Sequence, residues 1–250
     1  MSKELQELLG PGSDGLRSKQ QRHFVENIRR YNVAMAFCSF SDAADTPSGY
    51  LSGRGPPVYV LHGQAYHSLS TLIPSNADTE RYGQLYAFDP DEASERRISW
   101  DAGLDKKILH KLHCMLLHLD DAGNLNPYAI AYKHLWEKMQ EQQQAGVQPK
   151  VALRFRSGST PDPRRYSLPT CRDIAVVFTG LHAPSKRDAT VYLRSTVGCG
   201  DTHNVSSLNE HVDPLTYPLL FPYGEKGWCP ELQVHNWRCR RRENIEINGL

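Results

Sequence analysis

The segment "HKLHCMLLH" places His110, His113, Cys114 and His118 within nine residues, and on a helix His110, Cys114 and His118 fall at i, i+4 and i+8 of one face. That is a metal-ligating pattern in form, but at 1.5 Å rise per residue the outer two stand ~12 Å apart, so at most two could share an ion. The alternative is a half-buried polar edge of the helix. In "HGQAYHSLSTLIP", His62 and His67 flank Tyr66 and could meet phosphates or a metal, or satisfy local backbone groups at a strand end. Near the C-terminus Cys199 and His203 form C-x3-H, and Cys229, His235 and Cys239 form C-x5-H-x3-C. These are sufficient ligands for one closed structural zinc, although the spacing matches no standard finger. Isolated reduced cysteines are the simpler reading, and no other cofactor is expected.

Arginine supplies the other chemistry. The whole chain is nearly neutral, with 29 Lys and Arg against 28 Asp and Glu for a net charge of +1, so any charge signal is local. Residues 150–172 carry one Lys and five Arg against one Asp, a local +5, and Arg238, Arg240, Arg241 and Arg242 cluster near the end. Arg154, Arg156, Arg164 and Arg165 would neutralise phosphates, with Phe155 and Tyr166 interleaved to stack on unpaired bases. The competing reading is a solvated strand face balanced by acids such as Glu95 or Asp105.

These residues need elements to position them. Residues 1–17 read as a flexible terminus. "SKQQRHFVENIRRYNVAMAF" reads as one amphipathic helix, with a Ser18–Gln21 capping box and Phe24, Ile28, Tyr31 and Met35 on one face. "SDAADTPSGYLSGRGPP" reads as loop, "VYVLHG" as a strand with "QLYAFD" (84–89) as its partner, and the residues between them as mostly loop. A second helix is expected from Asp101 to about Leu119, with Leu104, Ile108, Leu112, Met115 and Leu116 inward. A third starts at Asn126 as N-cap with Pro127 in the first turn, and turns Tyr128, Tyr132, Leu135 and Met139 to one side. Past a soft boundary near residue 147 the period becomes alternating in "VALRFR", "DIAVVFTG" and "ATVYLRS". The fold class is therefore α+β: a helical, mixed part over 18–147, a strand-rich part over 148–230, and a basic tail over 231–250. "DPLTYPLLFPYGEKGW" (213–228) has prolines at 214, 218 and 222, which exclude a helix and leave an extended apolar segment pressed on a core. No signal peptide or membrane-spanning run is evident, so an intracellular protein is expected.

The ordered blocks "RYNVAMAF", "GRGPPVYVLHGQAYHSLSTLIP", "RYGQLYAFD", "NPYAIAYKHL", "DIAVVF" and "DPLTYPLLFPYGEKGW" resemble the N-terminal region of Helitron rolling-circle transposon proteins, over roughly residues 27–230. Proteins of that family join a nuclease to a DNA helicase. The resemblance implies a nuclear module that binds transposon-end or single-stranded DNA and presents it to a nuclease-helicase. Neither a His-hydrophobic-His nuclease motif nor a GxxxxGK[ST] phosphate loop occurs here, so no enzyme activity is expected and the chain reads as truncated before the nuclease. The alternatives are a protein-interaction scaffold and an inactive transposon relic.

Overall fold

The computed structural model describes residues 2–11, 15–42, 49–51, 58–60, 65–70, 80–118, 125–146, 151–155, 174–178, 189–192, 202–205 and 209–228. These form a mixed fold dominated by helices: α1 (Lys3–Leu9), α2 (Lys19–Glu26), α3 (Ile28–Met35), α4 (Pro90–Trp100), α5 (Lys106–Leu117), α6 (Pro127–Gln144) and α7 (Val212–Thr216). A 3-10 helix, Tyr82–Ala87, precedes α4. Among the described residues no helix is long and apolar enough to cross a membrane.

Capping logic accounts for most helix starts. Asn126 accepts from the backbone N–H groups of Tyr128 (3.0 Å) and Ala129 (3.1 Å), with Pro127 in the first turn as expected. The Ser18–Gln21 capping box is present, and Asp89 and Asp105 cap α4 and α5. The expected long first helix is nevertheless two, broken at Asn27 (φ −113°, ψ 16°). Asn27 donates its side-chain amide to the His23 carbonyl (2.9 Å), the local competition with helical bonding that asparagine offers. Phe24, Tyr31 and Met35 still face the core.

Several other expectations are corrected. The supposedly flexible terminus contains α1, capped by Ser2, whose Leu5 and Leu8 are buried while Glu7 pairs with Lys111 of α5. Residues 84–89 are not a strand: Gly83, Gln84, Leu85 and Tyr86 are buried in succession, which alternation cannot do and a tight 3-10 turn can. β2 (Gly49–Leu51), within the expected loop, is instead the antiparallel partner of β3 (Val58–Val60). β1 (Ser39–Asp42), whose last two residues open the expected loop, and β4 (Ala65–Ser70), in a stretch read as mostly loop, pair with each other, and β8 (Thr202–Val205) adds to β4. The second helix starts at Lys106, since Asp101 closes α4 and Asp105 opens α5.

β5 (Val151–Phe155) lies between β6 (Ile174–Phe178) and β7 (Ala189–Tyr192), antiparallel to both. The chain between these strands lies outside the described residues, so a strand-rich second part is not established. Leu153 and Phe155 point into the core, where Phe155 meets Tyr128 and Tyr132 at centroid distances of 5.4 and 6.4 Å. The two parts therefore share a core across residue 147.

The proline-rich segment begins with one helical turn, α7, despite the expected exclusion of helix. Pro214 sits in its first turn, where a missing N–H costs no intrahelical bond. Beyond it the chain docks as turns. Phe37 N donates to Leu215 O (2.8 Å), the Asn32 amide to Thr216 O (3.0 Å), and the Asn126 amide to Pro222 O (3.1 Å). Gly224 has φ +67° and approaches so closely that a Cβ there would lie 2.5 Å from Pro127 Cδ, so only glycine fits. Asn126 thus caps α6 and holds the segment. Asn126→Ala is expected to cost about 2 kcal/mol in urea unfolding, at the upper end for a lost cap, and to hasten proteolysis after Tyr217. A loss below about 0.5 kcal/mol would show that the cap carries neither role.

Candidate nucleic-acid interface

Helices α3 and α4 and the turn before the 3-10 helix enclose a cleft of about 370 Å³, lined by Arg29, Arg30, Val33, Ala34, Arg81, Tyr82, Arg97, Trp100, Asp101 and Leu104. Three exposed guanidiniums, those of Arg29, Arg30 and Arg81, face one carboxylate in this lining, an excess of two positive charges, with Arg97 buried behind them. Asp101 is taken by Arg30 in a two-point contact, Nε donating to Oδ2 at 2.8 Å and Nη2 to Oδ1. The Arg81 guanidinium lies 5.6 Å from the Trp100 ring centroid, so its charge is set against an indole face, not an acid.

Local backbone holds Arg81 and Tyr82 at the rim. Tyr82 has φ +55°, the left-handed region that non-glycine residues enter at a cost of roughly 1–2 kcal/mol. The next residue explains it. Gly83 packs so tightly on Tyr132 that a Cβ there would stand 2.3 Å from the ring's Cζ, and its N–H donates to Phe37 O (3.3 Å). Held in this way, the turn leaves Arg81 exposed and Tyr82 half-buried.

Arg97 is the residue that sequence reasoning missed. It is fully buried, and no carboxylate among the described residues perturbs its charge. Its Nε donates to Ala34 O (2.8 Å) and its Nη1 to His113 Nδ1 (3.0 Å). The Tyr86 ring lies beneath, 5.3 Å from Cζ, and the Tyr86 hydroxyl donates to Met35 O (2.6 Å). Burial lowers the Arg97 pKa and the Tyr86 oxygen opposes the shift. A guanidinium nevertheless keeps its proton at neutral pH. The missed signal was spacing: Ala93, Arg97 and Trp100 stand at i, i+4 and i+7, which turns the arginine to the inner face of α4.

The expected site residues divide. His113 turns inward and stacks on Tyr86 at 5.1 Å, away from any shared metal face. His110 Nδ1 and Cys114 Sγ stand 3.8 Å apart, and His118 is exposed. Among the described residues no three His, Cys, Asp or Glu side chains are grouped to hold a metal. Phe155 is corrected outright: it is fully buried and cannot stack on a base. The Arg154 backbone lies on β5 opposite Ala175 and Thr190, and the His203 backbone on β8 opposite Leu69, but neither side chain is described. Arg156, Arg164, Arg165, Tyr166, Arg238, Arg240, Arg241, Arg242, His62, Cys199, Cys229, His235 and Cys239 lie outside the described residues. His67 is half-buried on β4, and its pKa is lowered by burial against an opposing pull from Asp213. Glu95 and Asp105 are engaged locally, the first with Lys106 and the second as the α5 cap.

The Arg97–His113 contact sets a pH dependence. Burial first, then the charges of Arg97, His110 and His118, hold His113 well below 6.5, with the Phe88 main chain opposing. Since Arg97 can only donate, His113 Nδ1 accepts and the folded ring is neutral. The unfolded ring takes up a proton near pH 6.5, so stability present above that pH is lost as pH falls toward the folded value, by up to about 1.4 kcal/mol per pH unit. Urea midpoints from pH 7.5 down to 5 are expected to fall more steeply for the wild type than for His113→Gln. Equal slopes would place the proton uptake elsewhere. No protein-family model matches the chain, and no curated protein matches it.

Proposed function

We propose that this chain is a non-catalytic nucleic-acid-binding module with a preference for single strands. In this reading it is an α+β module, with a strand-rich second part, that works in the nucleus and presents DNA to a nuclease-helicase, as the Helitron resemblance implies. The observation that carries the reading is the arginine cleft beside Trp100 and Tyr82, which pairs uncompensated guanidiniums with aromatic surface. Phosphates need the first and unpaired bases the second. The Arg154, Arg156, Arg164 and Arg165 patch is a second contact zone in this reading.

A scaffold is the second reading, favoured by an apolar groove that includes Leu5, Leu9, Ile28, Val33, Leu219 and Leu220. Val33 and Leu220 are 60% and 73% exposed, an unusual outlay of apolar surface in one place. Binding to single- and double-stranded oligonucleotides across a salt series separates the two. The nucleic-acid reading expects affinity that falls with salt, a loss of about 5-fold or more in Trp100→Ala from one forfeited stack, and a shallower slope in Arg29→Ala/Arg81→Ala. An Arg154/Arg156/Arg164/Arg165→Ala variant tests the other patch. A folded chain that binds neither oligonucleotide at low salt would leave the scaffold.

A further inference from the structure

The apolar groove is bounded by α1, α3 and the proline-rich segment, and at about 740 Å³ it has twice the volume of the arginine cleft. Of the five large apolar side chains exposed among the described residues, three line this one groove: Val33, Tyr217 and Leu220, at 60%, 45% and 73%. Such clustering marks a contact surface. A hollow and the apolar knobs beside it share one patch, which is what a two-fold interface requires, because each copy must offer both halves of the contact.

Charge at the groove has the same self-complementarity. Two charged residues line it, Arg29 on α3 and Glu225 on the proline-rich segment. Their neighbours Arg30 and Lys226 are engaged by Asp101 and Glu210, whereas neither Arg29 nor Glu225 belongs to an ion pair among the described residues. Glu225 uses one oxygen, Oε2, to accept from the Tyr223 N–H (3.2 Å). A groove shaped for a strongly acidic or basic segment would carry one sign of charge. One charge of each sign, on different walls, suits a partner that presents the same pair in reverse. A two-fold axis through the groove sets Arg29 of each copy against the partner's Glu225, twice over.

We propose that this groove is the contact between two copies of the chain, with Leu220 of each seated in the groove of the other and reciprocal Arg29–Glu225 pairs fixing the register. The proposal goes beyond the nucleic-acid reading and rests on the scaffold reading, whose partner it names.

Sedimentation velocity of the full chain, from nanomolar to high micromolar concentration, tests it. The mass is expected to move from monomer to dimer as concentration rises, and Leu220→Glu is expected to stay monomeric. Arg29→Glu and Glu225→Arg should each weaken the dimer about tenfold or more, since like charges then meet at both ends of the contact. The double reversal should return it to within about threefold of wild type. All three positions are exposed, so unchanged urea midpoints will show that the variants keep the fold. Leu220 and Glu225 lie outside the arginine cleft, so their effects do not depend on nucleic-acid binding. A dimer in which the two reversals simply add would place the interface elsewhere and overturn the proposal. A chain monomeric throughout would overturn it too. If that monomer binds anilinonaphthalene sulfonate and Leu220→Glu abolishes the binding, the groove is open to a different protein and the scaffold reading stands; without dye binding, the scaffold reading fails as well.

Discussion

A buried guanidinium without a carboxylate is the constraint on which this structure turns. Taking a charge out of water costs several kcal/mol even after relaxation, and proteins ordinarily offset that with an acid. Arg97 is offset by weaker means. Ala34 and Met35, at the C-terminal end of α3, present carbonyls that no later helical turn uses, and Arg97 and Tyr86 take them. A cation at that end also meets the negative pole of the α3 dipole. His113 must remain neutral to accept from Arg97, and Tyr86 lies against both. One side chain therefore fixes the relation of α3, α4, α5 and the 3-10 helix, the same elements that shape the cleft.

The proline-rich segment closes a different side of the core. Its apolar residues split: Pro214, Leu215, Pro218, Leu219 and Pro222 are buried, while Tyr217 and Leu220 remain exposed and line the apolar groove. Prolines supply turns without spare donors, and the carbonyls that remain are met by Asn32 and Asn126. Arg29 and Val33 of α3 line both the cleft and the groove.

Sequence reasoning succeeded where chemistry is local. Asn126 before Pro127, and Ser18 three residues before Gln21, identify helix starts because the capping bonds span only two or three residues. The alternation in β5 likewise turned Leu153 and Phe155 inward, although the base-stacking role given to Phe155 ignored that same alternation. It failed where the decisive contact is distant in sequence. The left-handed Tyr82 depends on Gly83 meeting Tyr132, and Arg97 depends on the Ala34 carbonyl, 63 positions earlier in the chain. Composition made arginine suspect only where it was dense, over 150–172 and 238–242, whereas the cleft assembles four arginines from three separate stretches.

The central claim is that Arg97 ties α4 to α3 and α5 through its bonds to Ala34 and His113. The unfolding free energy of Arg97→Met against wild type, both in phosphate-free chloride buffer, tests it most directly. Removing the guanidinium leaves two buried acceptors, Ala34 O and His113 Nδ1, without their donor, at about 1–3 kcal/mol each, and relieves a desolvation cost of several kcal/mol. A tie of this kind predicts a variant less stable than wild type by about 2 kcal/mol or more. A variant within about 0.5 kcal/mol of wild type, or more stable, would contradict it and show that relief of desolvation outweighs both bonds.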